Sequence, residues 1–216
     1  MAKVAVIDYD MGNLHSVCKA LARAGVEAEV TDSPGVIAAA DGVVLPGVGA
    51  FDYAMQQLRS HGLERAIEGA ISSGKPFLGI CLGLQVLFEG SSEGKEPGLG
   101  IIPGWVRRFE PEPGLTIPHM GWNQLQLTQP AHPLWRGLGS QPWLYFVHSY
   151  YVAPKDSAIV AAAVCHGSQR VTAAIGQGNL FATQFHPEKS APAGLQILNN
   201  FAEMLTGPRE QPVEIS

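Results

Sequence analysis

The first half of the chain alternates short apolar runs with stretches whose apolar residues return every three or four positions. Residues 4–7 are continuously apolar, the pattern of a strand covered on both faces. Asn13 is placed to cap a helix in which Leu14, Val17, Leu21 and Ala24 share one side, and Gly25 ends it. Residues 27–31 and 43–45 predict a second and a third strand. Residues 49–59 and 63–73 predict helices parted by Gly62. Residues 77–80 predict a fourth strand, and residues 82–89 a helix that follows it at once. Strands alternating with helices in this way predict an α/β fold on a largely parallel sheet.

The second half has a different texture. From 101 to 152 Pro, Gly and Trp are dense and the strands are short. Residues 143–152, 158–164, 171–175 and 179–185 read as strands with tight turns, Gln177-Gly178-Asn179 being a hairpin turn. They predict an antiparallel extension of the same sheet, closed by one helix over 193–205. The expected architecture is α/β in three layers: a mixed, largely parallel central sheet flanked by helices. No internal repeat or linker divides the chain. Residues 1–206 are therefore expected to form one domain, and the polar tail 207–216 to fray.

Composition narrows the class. The chain has 216 residues, 46% hydrophobic and only 15% charged, which fits a globular enzyme and excludes a disordered chain. A net charge of −5 gives no nucleic-acid footprint. Three widely spaced cysteines form no CxxC pair, which argues against a disulfide framework or a zinc site and for a reducing, cytoplasmic compartment. The N-terminal residues run straight into a strand, so no signal segment is expected, and no apolar run is long enough to span a membrane.

The chemistry begins at Gly79-Ile80-Cys81-Leu82-Gly83, between the fourth strand and its helix. Glycine two places either side of a nucleophile is the spacing of a strand–turn–helix elbow, where larger side chains would clash. Such a turn sets the thiol at a helix N-terminus, which favours thiolate. Alone, the motif is open to two readings, a catalytic thiol or a buried structural cysteine. Far downstream, Phe181-Ala-Thr-Gln-Phe-His186-Pro187-Glu188 delivers a histidine at a strand end and a carboxylate two residues later. Nucleophile, base and orienting group make a triad in the order Cys81, His186, Glu188. In an elbow of this kind the Leu82 backbone N–H is an oxyanion donor.

The elbow with Leu84-Gln85 and the His186-Pro187-Glu188 triplet resembles the class I, triad-type glutamine amidotransferases. Four further segments are similar to one branch, the glutaminase subunits of imidazole glycerol phosphate synthase. They are Ile7-Asp-Tyr-Asp-Met-Gly-Asn-Leu14, Pro46-Gly-Val-Gly-Ala-Phe51, Pro118-His-Met-Gly-Trp-Asn123 and Tyr145-Phe-Val-His-Ser-Tyr-Tyr151. Asp10 departs from the pattern, the family more often carrying glycine there. The resemblance implies glutamine hydrolysis to glutamate and ammonia through a thioester on Cys81, without metal or cofactor. It implies a (β/α)8-barrel cyclase subunit as heterodimer partner, taking the ammonia in histidine biosynthesis. A second oxyanion donor is expected from Gly47, Val48 and Gly49, in a segment that also reads as an ordinary turn. The resemblance further implies that this hole is unformed in the isolated subunit.

Gln85, one helical turn after Cys81, and His148, Ser149 and Tyr150 are expected to hold the ends of the glutamine. Trp122, Asn123, Tyr145 and Lys189 are the candidates for the partner face. Cys18 and Cys165 are expected to be inert buried thiols. The remaining histidines show no metal-ligand spacing. Rival readings are a glutaminase for another synthase, a related α/β cysteine hydrolase, and a binding module with a vestigial site.

Overall fold

The structure, a computed structural model, describes residues 1–207 together with 212 and 213. The alternation of the first half gives β1 (Lys3–Ile7), α1 (Leu14–Arg23), β2 (Glu27–Thr31), α2 (Pro34–Ala39), β3 (Gly42–Gly47), α3 (Phe51–Ser60), α4 (Glu64–Ser72), β4 (Phe77–Cys81) and α5 (Leu82–Gln85). The second half gives β5 (Gly104–Arg108), β6 (His119–Gln124), β7 (Gln126–Leu127), β8 (Trp143–His148), β9 (Tyr150–Pro154), β10 (Val160–His166), β11 (Gln169–Gln177), β12 (Leu180–Thr183) and α6 (Ala191–Met204).

Eight strands form one sheet in the order β2-β1-β3-β4-β12-β11-β10-β7. The first five are parallel neighbours and the last three pair antiparallel. The period-two rule divides the strands between two cores. On β1, Ala5 and Ile7 join Val43, Leu45 and Phe77 on one face, beneath α3 and α4. Val4 and Val6 join Val44, Leu78 and Ile80 on the other, beneath α1 and α6. Both faces are covered, which is why these strands read as unbroken apolar runs.

Local chemistry explains the boundaries. The Asn13 side chain accepts from the Ser16 N–H at 3.3 Å and caps α1. Gly178 takes φ 52 in the two-residue turn that joins β11 to β12. Helix α2 was not among the elements expected from the sequence. Proline is tolerated in a first helical turn, and burial of Ile37 anchors the rest. Asp10 holds φ 63, a region open to glycine and tolerated by aspartate, which accounts for the departure at this position.

Three expectations need correction. Residues 82–89 do not form one helix, for α5 ends at Gln85. The carbonyls of Val86, Leu87, Phe88 and Glu89 instead accept N–H groups from Leu99, Ile102, Gly100 and Gly98. Residues 143–152 are not one strand. The chain breaks at Ser149, β8 pairing with β6 and β9 with β5 in two small sheets apart from the main one. Within the tail, Val213 is buried and its N–H donates to Asn179 Oδ1 at 3.1 Å, so it does not fray. Residues 208–211 and 214–216 of that expected tail lie outside the described residues.

The junction of β4 and α5 is the tightest place in the fold. A Cβ on Gly83 would stand 1.8 Å from the Leu45 carbonyl oxygen, and one on Gly79 2.9 Å from the Gly83 oxygen. Gly83→Ala is therefore expected to force β3 and α5 apart and cost about 3 kcal/mol. Thermal denaturation should show a Tm lower by roughly 6–12 °C. A variant that melts with the wild type would contradict this packing.

Candidate active site

Cys81 closes β4 and caps α5 with φ 56 and ψ −107, a conformation rare for any residue with a side chain. The glycines at 79 and 83 let α5 press against β3 and β12 so closely that the thiol is pushed above the sheet edge. Cys81 is only 7% exposed. It accepts from Gln184 Nε2 at 3.7 Å, a long contact of the kind sulfur makes.

His186 follows β12, the parallel neighbour of β4, so both groups lie at the carboxyl ends of adjacent strands. Its loop is clamped by β8. The His186 N–H donates to the Tyr145 carbonyl at 3.0 Å, and the Tyr145 N–H to Ser190 Oγ at 3.0 Å. Ser190 Oγ–H then donates back to the His186 carbonyl at 2.6 Å. His186 Nδ1 meets Glu188 Oε1 at 2.8 Å, both side chains being 2% exposed. That bond leaves Nε2 turned to the Cys81 sulfur. Nε2 lacks a well-formed hydrogen bond among the described residues, as is common for catalytic pairs before substrate binds. Burial opposes a charge on this imidazole, but the Cys81 sulfur and then the Glu188 carboxylate outweigh it and push its pKa up to about 9. An imidazolium held between a sulfur and a carboxylate can lend a proton and take one back.

A cavity of about 320 Å³ opens over Cys81. Val48, Gly49 and Leu82 line it, so the N-terminus of α5 and the end of β3 share its wall. Gly47 sits opposite Cys81 in the β3–β4 register. Gln85, His148, Ser149 and Tyr150 line the same cavity, so all the residues expected to hold substrate come together. Trp122 and Tyr145 are cross-strand partners on β6 and β8, their rings 6.2 Å apart, and Trp122 is exposed beside exposed Met120. Lys189 is exposed, whereas Asn123 turns its amide inward to His119 and the Cys165 carbonyl.

Sequence reasoning assigned no catalytic or substrate-holding role to three groups. Glu93 lines the cavity, its carboxylate accepting the Phe51 N–H at 2.9 Å. Gln184 bridges Gln85 and Cys81. Tyr9 is fully buried below Gly47, its hydroxyl without a partner among the described residues. Burial and the nearby Cys81 charge push its ionisation upward. The only signals were a carboxylate after the elbow helix, a glutamine two residues before the histidine and a tyrosine after a buried strand. Each is commonplace. The expectation for the other thiols needs correction: Cys165 is exposed, and Cys18 is half-buried at the margin of the core under α1. Among the described residues no group of three or more His, Cys, Asp or Glu could hold a metal ion, and no helix is long and apolar enough to cross a membrane.

Residues 5–205 match the family model "Glutamine amidotransferase class-I". The chain is 67% identical over 208 residues, 96% of its length and 99% of the relative's, to "Imidazole glycerol phosphate synthase subunit HisH" of Cyanothece sp.. It is 66% identical over 201 residues, 93% of its length and 94% of the relative's, to the protein of that name in Trichodesmium erythraeum. Among solved structures it is similar to a PurLQS structure from Thermotoga maritima, with a TM-score of 0.73 at 19% identity over 95% of this chain and 99% of that one. At that identity the likeness is one of fold.

His186 gives the site a pH signature. Its raised pKa means the charged imidazole adds stability that is fully present below its ordinary 6.5 and is lost as pH rises through about 9. NMR titration should find His186 near 9, falling in both Cys81→Ala and Glu188→Gln, and further in the former. Titration at 6.5 in all three proteins would contradict the assigned couplings.

Proposed function

We infer that this chain works as a glutaminase, for it belongs to the class I glutamine amidotransferase family and, within it, to the HisH subunits of imidazole glycerol phosphate synthase. It hydrolyses glutamine to glutamate and ammonia for histidine biosynthesis. The observation that carries the reading is the line Cys81, His186, Glu188 beneath a cavity of substrate size.

The chemistry follows from the geometry. The Cys81 thiolate attacks the glutamine carboxamide carbon, forming a C–S bond and a tetrahedral oxyanion. Leu82 N–H, at the start of α5, supplies one donor to that oxygen, and the segment Gly47, Val48, Gly49 supplies the second. Each such donor contributes roughly 10²–10³ in rate. Protonated His186 gives its Nε2 proton to the departing nitrogen, the C–N bond breaks and ammonia leaves. Neutral His186 then takes a proton from water, whose oxygen attacks the thioester. Collapse releases glutamate and returns the Cys81 thiolate facing an imidazolium. Glu188 keeps the ring in register throughout, through Nδ1.

The same cavity suits the rest of the substrate. The Glu93 carboxylate complements an α-ammonium, while Gln85 and the backbone of His148, Ser149 and Tyr150 offer neutral polar contacts. We propose residues 1–206 as one amidotransferase domain working in the cytoplasm with a barrel cyclase subunit. Exposed Trp122 and half-buried Tyr145, with Lys189 and the neighbouring Asn123, form the proposed partner face, where large aromatic rings make the contact.

The test is glutamate release from glutamine by the chain alone and with the cyclase subunit and its nucleotide ligand. Low activity alone and a large rise in the mixture are expected. Cys81→Ala should lower kcat at least about 10⁴-fold. Hydrolysis only with a different synthase would redirect the assignment, and full activity without a partner would refute an unformed oxyanion hole.

A further inference from the structure

Half-buried Asn123 and the buried His119 and His148 form a hydrogen-bond chain that runs in one direction only and ends at the cavity wall. Asn123 Nδ2 lies 3.0 Å from His119 Nε2, His119 Nδ1 lies 3.0 Å from His148 Nε2, and His148 Nδ1 lies 2.8 Å from the Tyr150 carbonyl oxygen. Imidazole nitrogens can donate or accept, so the polarity must come from the ends. Both ends are fixed by backbone groups. The Asn123 amide is oriented because its Oδ1 accepts the Gln124 N–H at 2.7 Å and its Nδ2 donates to the Cys165 carbonyl at 2.8 Å. Its second hydrogen therefore points at His119, whose Nε2 must be bare and whose proton must sit on Nδ1. That proton goes to His148 Nε2, so His148 also carries its proton on Nδ1 and donates it to a carbonyl, which can only accept. The two ends demand the same polarity independently.

Both rings are held neutral. Burial first, with the charge of His166 second, brings His119 down to about 4. Burial above all brings His148 down to about 3. Around them, His119 stacks between Phe146 and His166, at centroid distances of 4.9 and 4.3 Å.

The far end of the chain reaches the proposed glutamine cavity. The Tyr150 carbonyl also accepts from Gln85 Nε2 at 3.2 Å, and the same nitrogen donates to Gln184 Oε1 at 3.1 Å. Both amide hydrogens of Gln85 are thus committed inside the protein. What Gln85 offers the cavity it lines is Oε1, a pure acceptor.

We propose that Asn123, His119 and His148 are positioning residues for the substrate subsite at Gln85. By fixing the Tyr150 carbonyl they keep the Gln85 amide turned so that its oxygen receives an N–H of the substrate, an amide or ammonium nitrogen. The proposal rests on the glutaminase reading. It adds that the subsite's polarity is set from Asn123 on β6, relayed through His119 to His148 in the cavity wall.

The experiment compares wild type, His119→Phe and His119→Gln for glutamine hydrolysis in complex with the cyclase subunit. Phenylalanine keeps the ring stack but removes both polar atoms, whereas glutamine restores an acceptor toward Asn123 and a donor toward His148. His119→Phe should raise KM for glutamine roughly three- to ten-fold with little change in kcat, the effect of one weakened hydrogen bond. His119→Gln should recover most of it. Wild-type KM in His119→Phe, a loss confined to kcat, or no recovery in His119→Gln would each overturn the proposal. The ring ¹⁵N spectrum of the wild-type chain keeps the proposal open to test if a variant fails to fold. Both His119 and His148 should be neutral Nδ1–H tautomers, and an Nε2–H at either overturns it. A wild-type complex that hydrolyses no glutamine would sink the glutaminase reading instead, and leave the tautomer test standing.

Discussion

The whole site depends on how closely α5 can approach β3. With no side chain at residue 83, the first turn of α5 packs against the Leu45 carbonyl. That contact bends the chain so sharply at Cys81 that its backbone takes a positive φ. Strain of this kind costs on the order of 1–3 kcal/mol and persists only where surroundings over-determine it. Here β3 and β12, hydrogen-bonded on both sides of β4, supply that constraint. The result is a thiol at a helix N-terminus, level with the loops that follow the parallel strands.

Electrostatics completes what the backbone begins. Removing an imidazolium from water is unfavourable, and burial alone would keep His186 neutral. Two acceptors of opposite charge, the Cys81 sulfur and Glu188, reverse the balance. The contrast with His119 and His148 is instructive. They are buried to a similar degree, but the charges that act on them are those of other histidines, His166 on both and His186 on His148, and their pKa falls to about 4 and about 3. One fold therefore pushes one buried histidine toward its charged form and a pair of others toward neutrality, and the difference lies in the partners.

Much of this was legible in the sequence because its causes are local. An apolar run marks a strand buried on both faces, and glycines at 79 and 83 mark an elbow whatever lies around it. The approach of His186 and Glu188 to Cys81 was legible because a histidine–proline–glutamate triplet at a strand end has few other uses. What was not legible depends on distant pairing. Helix α5 stops at Gln85 because the 98–102 segment takes the next carbonyls, and nothing in Val86-Leu87-Phe88 announces that. The break at Ser149 reflects two different partner strands for one apolar stretch. Glu93 reaches the cavity through a loop whose path is set by α3, where it accepts the Phe51 N–H. Asn123 was read as a surface contact, yet its amide serves the interior, since pairing with β8 turns the His119 and Asn123 side of β6 inward.

One covalent step is central to the proposed reaction, the transfer of the γ-glutamyl group to Cys81 rather than to either of the other thiols. The direct measurement is acid quenching of the complex during turnover, followed by proteolysis and mass spectrometry of the cysteine peptides. A γ-glutamyl group on the Cys81 peptide, absent from the peptides of Cys18 and Cys165 and lost in Cys81→Ala, is the predicted result. Active hydrolysis with the adduct on another cysteine, or in the Cys81→Ala protein, would contradict it.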